Sequence, residues 1–146
     1  VRELPHTSVV NTIDLGDAKD IHPPDKAPIC ERLALLARRD VHGEAVPARG
    51  PILKDASVDG AEMTLQFDHA DGLRTRDGQP PRGFWLADAQ GEWHRAEARI
   101  EGRRVILQAG AVRSPSGCAY AFSGTPEVNL VNGAGLPAYP FRRDTL

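Results

Sequence analysis

The chain has 146 residues, 40% hydrophobic and 26% charged, a balance that buries a core and excludes disorder over most of its length. A net charge of -2, with arginines scattered along the chain, leaves no basic stripe to hold a phosphate backbone, which argues against nucleic acid as a partner. No run approaches the roughly 18 apolar residues that would cross a bilayer as a helix.

In chain order, Ser8-Val9-Val10-Asn11-Thr12-Ile13-Asp14-Leu15 is rich in β-branched residues and is followed by Gly16-Asp17. This predicts a buried strand that stops near Asp14 and runs into a polar loop. From Asp25 the spacing changes: Ile29, Leu33, Leu36 and Ala37 recur at helical intervals, predicting an amphipathic helix with those residues on its buried face. Asp25 suits the N-cap, Pro28 is tolerated in the first turn, Arg38 and Arg39 suit the C-terminal dipole, and Gly43 ends the helix.

After Gly43, punctuation by Pro47, Gly50 and Pro51 places a domain boundary that divides residues 1–45 from 46–146. Beyond it Met63, Leu65 and Phe67 alternate with Glu62, Thr64 and Gln66, Gly83 to Ala87 carries Phe84, Trp85 and Leu86, and Glu101-Gly102 separates two further runs. With turn signals at Asp59-Gly60, Asp71-Gly72, Asp77-Gly78 and Gln90-Gly91, this predicts about seven short strands in a β-sandwich. The stretch from Gly133 onward, with Pro137 and Pro140, reads as an irregular tail. Cys30 and Cys118 lack metal-ligand spacing and read as two buried thiols in preference to a long-range disulfide.

The chemistry concentrates in Asp14-Leu15-Gly16-Asp17-Ala18-Lys19-Asp20-Ile21-His22-Pro23, a strand end, a carboxylate-rich loop and a histidine shortly before a helix. A residue before proline is biased toward extended backbone, and residues two apart then face one side, so Asp20 and His22 are able to meet. A carboxylate holding the imidazole Nδ1 proton leaves Nε2 free to accept a proton from a serine hydroxyl, the base half of a serine esterase. The plain alternative is that Asp17 or Asp20 caps the helix or a turn and His22 is an ordinary loop histidine.

Elsewhere the signals are weaker. Ser8 falls inside the predicted strand and Ser57 in a loop, while Ser114, Ser116 and Ser123 flank turns; none has a Gly-x-Ser-x-Gly elbow. Trp85 and Trp93 read as core residues, with a sugar-stacking platform as the alternative. His6, His42, His69 and His94 share no metal-ligand spacing, and Arg74-Thr75-Arg76-Asp77 reads as a solvated turn without a function.

The order Asp14-Leu15-Gly16-Asp17, Asp20-Ile21-His22-Pro23, Lys26 and Glu31-Arg32-Leu33-Ala34-Leu35 resembles the last catalytic block of the sialate O-acetylesterase family. Ala119-Tyr120-Ala121-Phe122, Asn129-Leu130 and Gly135 to Arg142 are similar to that family's C-terminal signature. The family belongs to the SGNH (GDSL-like) hydrolases, so the resemblance implies an α/β plus all-β organisation: residues 1–45 as the last strand, catalytic loop and closing helix of a flavodoxin-like domain, then a β-sandwich. It implies that His22 is the catalytic base. SGNH enzymes usually place the acid three residues before the histidine, where this chain has Lys19. Asp20 is therefore the candidate acid, with Asp17 or Asp14 if the loop doubles back, and a serine–histidine dyad if none reaches.

The family's serine nucleophile and oxyanion-hole residues lie far upstream, so the resemblance implies an accompanying N-terminal segment of the same enzyme carrying the serine. It also implies an acetylated carbohydrate as substrate, no metal or organic cofactor, and a secreted or periplasmic parent enzyme. Without its nucleophile a serine hydrolase loses on the order of a million-fold in rate, so this chain alone is expected to be nearly inactive. The rival expectation is a non-catalytic β-sandwich module that binds carbohydrate or another domain.

Overall fold

A computed structural model of the protein describes residues 4, 5, 7–20, 22 and 25–145. Among these residues one helix, α1 (Ala27–Asp40), precedes ten strands: β1 (Ile52–Asp59), β2 (Glu62–Asp68), β3 (Arg74–Thr75), β4 (Phe84–Ala87), β5 (Trp93–Arg95), β6 (Glu97–Glu101), β7 (Arg104–Gln108), β8 (Gly117–Tyr120), β9 (Leu130–Val131) and β10 (Phe141–Arg143). The protein is thus mostly β, with more strands than the seven expected. They form two four-stranded antiparallel sheets, β1-β2-β7-β6 and β10-β8-β4-β5, and the two-stranded β3-β9.

The alternation read in β2 is realised: Met63, Leu65 and Phe67 are buried, and the intervening residues are turned toward solvent. Met63, Leu65, Val105 and Leu107 of the first sheet share one core with Phe84, Leu86, Cys118 and Tyr120 of the second. Phe67 meets Phe141 across the layers with ring centroids 6.0 Å apart, and Phe84 and Tyr120 lie at 4.6 Å. The hairpins β1-β2 and β6-β7 turn at Gly60 (φ +59) and Gly102 (φ +62), the first central position of two-residue loops, where only glycine adopts that conformation without strain.

Several expectations are corrected. Residues 8–15 form no strand: Ile13 and Asp14 stand in a turn, and Leu15 N–H donates to the Thr12 carbonyl at 3.0 Å. No ladder partner lies beside the segment among the described residues, and side chains satisfy its backbone instead, so β-branched composition alone did not decide its state. The tail is not wholly irregular, because Phe141, Arg142 and Arg143 pair with Tyr120, Ala119 and Cys118. Pro140 lacks a donor and marks the start of that strand without preventing it.

Helix α1 lies where expected, with Lys26 at the N-cap position; Asp25 acts one residue earlier, its carboxylate accepting the Ala27 N–H at 3.1 Å. Gly43 (φ +70) closes the helix, and Glu44 N–H returns to the Arg38 carbonyl at 3.0 Å. The buried face, however, runs through Ile29, Arg32, Leu35 and Leu36, whereas Leu33 and Ala37 face solvent. Finally, Cys118 is buried but Cys30 is exposed on α1, and both are free thiols.

Candidate active site

The predicted site begins where the N-terminal segment meets the strap between β9 and β10. Asn11 donates its side-chain amide to the Pro137 and Ala138 carbonyls at 3.1 and 2.9 Å, and the Tyr139 hydroxyl donates to the Val9 carbonyl at 2.9 Å. The strap is itself fastened to the β layers, with Ala138 N–H on the Leu130 carbonyl and Tyr139 N–H on the Pro51 carbonyl. Asn129 and Asn132, both buried, spend their amides on the Asp77 carboxylate and on the carbonyls of Pro80, Arg49 and His69, tying neighbouring loops to β9.

The turn after Asn11 carries Asp14 inward, its side chain only 3% exposed. Arg32 of α1 grips it through both terminal nitrogens at 2.7 and 2.8 Å and also donates to the Asn11 carbonyl at 2.7 Å. Arg76, held by Arg76 N–H on the Asn129 carbonyl beside the β3-β9 pair, adds a third bond at 2.7 Å. Burial pushes the Asp14 pKa up, but the hydrogen bonds and charges of Arg32 and Arg76 outweigh it and hold the carboxyl below the usual range. Asp14 is therefore committed to two guanidinium groups and anchors the base of the loop.

Beyond Gly16 (φ +106) the loop is exposed. Asp17 accepts the Lys19 N–H at 2.8 Å, and Asp20 accepts the His22 N–H at 2.8 Å, two successive Asx turns. Asp20 and His22 are brought together, but through the histidine's main chain; among the described residues the exposed imidazole has no carboxylate partner. Ile21, Pro23 and Pro24 lie outside the described residues, as does His6. A cleft of about 840 Å³ runs beside the loop, lined by residues 9–18, Arg82, the segment 124–128 and Tyr139.

Ser8 donates to Asp40, Ser57 lies on β1 and not in a loop, Ser114 and Ser123 are exposed, and Ser116 donates to the Asp88 carbonyl. His94 pairs with the Asp88 carboxylate at 2.9 Å, yet the nearby Ser116 hydroxyl is bonded to main chain and completes no triad. No group of three metal-ligating side chains occurs among the described residues. Trp85 and Trp93 are half-buried on the outer face of the second sheet, so their assignment to the core is also corrected. Sequence reasoning missed Arg76: it pairs with a residue 62 positions away, and nothing in local spacing signals that.

No protein-family model matches the chain, and no curated protein does. Among solved structures, the chain is similar to a carbohydrate acetylesterase from Xanthomonas citri, with a TM-score of 0.86 and 41% identity over 91% of this chain. The match spans 31% of that structure's chain.

Proposed function

We propose that this chain is the C-terminal part of a serine carbohydrate O-acetylesterase of the SGNH (GDSL-like), sialate O-acetylesterase-like type, with residues 1–45 closing the hydrolase domain and residues 46–146 forming its accessory β-sandwich. The observation that carries the proposal is the 41% identity, at a TM-score of 0.86, to a carbohydrate acetylesterase of which the chain spans about a third. The uncovered apolar side chains of Leu4, Val9, Leu33 and Val41 support docking of the first 45 residues against an upstream segment.

In the proposed mechanism a serine on that upstream segment attacks the acetyl carbonyl of a sugar ester. His22 takes the serine proton, donates it to the departing sugar oxygen, and then activates the water that hydrolyses the acetyl-enzyme. Asp20 orients the imidazole by turning its carboxylate from the His22 N–H to Nδ1, a rotation open to an exposed side chain; Asp17 is the alternative acid. The substrate is an acetylated sialic acid or plant glycan.

The test is His22→Ala in the complete enzyme, together with labelling by a serine-reactive fluorophosphonate. Esterase activity is expected to fall at least about 10³-fold, with the label on the upstream segment and none on this chain. Unchanged turnover in His22→Ala, or a label on Ser8, Ser57, Ser114, Ser116 or Ser123, refutes the assignment. Asp20→Asn is expected to lower kcat more than Asp17→Asn; the reverse order transfers the acid role to Asp17.

A further inference from the structure

The outer face of the second sheet does not have the polar character usual for a solvent-facing layer. Strand register places Arg95, Trp85, Ala119 and Arg142 in one row across β5, β4, β8 and β10. Their neighbours Phe84, Leu86, Cys118 and Tyr120 point into the core, so this row points outward. Trp93, opposite Ala87, stands on the same face two residues along.

The small side chain of Ala119 floors a hollow of about 200 Å³ walled by Trp85, Trp93, Phe122 and Arg142. Phe122 is 58% exposed and follows Ala121, whose φ of +57 is a strained backbone that an L-residue holds only where packing enforces it. The hollow shares Trp85 and Phe122 with a cleft of about 690 Å³ that also takes in Arg95. That cleft is within the range of roughly 300–1,000 Å³ typical of small-molecule sites.

Arg142 is the charged residue lining the hollow, while the adjoining cleft is lined by Arg82, Arg95, Glu97 and Glu127. Arg142 lies 4.8 Å from the Trp93 ring centroid and 5.6 Å from that of Phe122, and is balanced by Asp144 at 2.6 Å. Arg95 lies 5.6 Å from the Trp85 centroid and has no carboxylate partner among the described residues. We propose that this face is a glycan-binding site, separate from the His22 loop, for pyranose chains bearing a carboxylate. The aromatic faces of Trp85, Trp93 and Phe122 cover the apolar C–H faces of sugar rings, and Arg95 receives the carboxylate as a planar fork. Ring stacking supplies contact area, and the Arg95 guanidinium, which is in no ion pair among the described residues, selects uronate- or sialate-bearing chains over neutral ones. The inference goes beyond the esterase reading and stands without it, because it requires only binding by residues of the β-rich portion.

The chain's two tryptophans both stand in this hollow, so intrinsic fluorescence and the two indole N–H resonances report on it. The experiment titrates the chain with a glucuronic-acid-bearing xylotriose, with sialyllactose, and with neutral xylotetraose. Saturable change with an acidic probe is expected, at least about tenfold tighter than with the neutral one. Arg95→Met is expected to abolish that preference. Trp93→Ala, read at the Trp85 indole, is expected to weaken binding roughly 3- to 10-fold.

Arg95→Met keeps the test decisive should a tryptophan variant fail to fold, because its side chain is exposed. Absence of saturable change with either acidic probe overturns the proposal, as does equal affinity for xylotetraose or unchanged affinity in Arg95→Met. Tryptophan signals that move with protein concentration but not with sugar overturn it in favour of self-association. None of these outcomes bears on whether His22→Ala abolishes esterase activity, so the two proposals fail separately.

Discussion

Replacing Asp14 by asparagine tests whether the buried ion cluster secures the base of the loop. The Asp14 side chain is 3% exposed and its partner Arg32 12%, so Asp14→Asn leaves a nearly buried guanidinium without its counter-charge. Breaking such a pair costs about 3–5 kcal/mol, and the retained amide oxygen keeps the estimate near the lower end, about 3 kcal/mol. Arg76 is 38% exposed, so solvent screens its share, and Arg76→Gln is expected to cost less than about 1 kcal/mol.

Urea unfolding of the chain at pH 7, followed by far-UV circular dichroism, measures both, and the Asp14→Asn/Arg32→Met cycle is expected to give a coupling of about 2 kcal/mol. Because the folded-state pKa of Asp14 is depressed, its contribution is present above the unfolded value near 3.8 and is lost as pH falls through the folded value. The acid limb below about pH 4 should therefore flatten in Asp14→Asn. A cost under about 0.5 kcal/mol for Asp14→Asn, or Arg76→Gln as damaging as Arg32→Met, refutes the reasoning.

Cysteine reactivity should divide cleanly. Burial pushes the Cys118 thiol up to about 11 against the opposing charge of Arg143, so a native-state disulfide-exchange reagent should titrate Cys30 alone, with Cys118 responding only after unfolding. Two equivalents in the native state would contradict this. Gly50 is the position least able to accept a side chain, since a β-carbon there would sit 1.9 Å from the Pro137 carbonyl oxygen. Gly50→Ala should destabilise the chain by about 3 kcal/mol, while Gly110→Ala, which meets no atom within 4 Å, should fall within about 0.5 kcal/mol of the parent in the same urea series.

Local periodicity carried the parts of the fold that are set locally. The alternation of Glu62–Asp68 and the glycine turns at Gly60 and Gly102 were legible because period and turn chemistry act within a few residues. Helix α1 was legible as a helix but not in its orientation, because a buried carboxylate draws Arg32 inward and shifts the face away from Leu33. The run Phe84-Trp85-Leu86 is apolar at three successive positions, so alternation could not reveal which residue faces out; register with Ala119 and Arg95 decides it. In the predicted site, the Asx turns at Asp17 and Asp20 follow from local chemistry, whereas the Arg76 contact to Asp14 depends on tertiary closure. The segment 8–15 has strand composition, but its backbone is satisfied by Arg32 and Tyr139.

The bonds joining Asn11 and Val9 to the strap span 126 to 130 residues of chain. During synthesis the histidine loop therefore leaves the ribosome well before the strap that supports it, and these bonds close only after Pro137, Ala138 and Tyr139 have emerged. Closures of this span are entropically slow, so a polypeptide stalled or truncated before the strap would display the loop without its anchorage. Chaperones and proteases would meet the unanchored loop until the strap is made. Abundance in the cell should thus be more sensitive to changes at the strap than to changes at His22 itself.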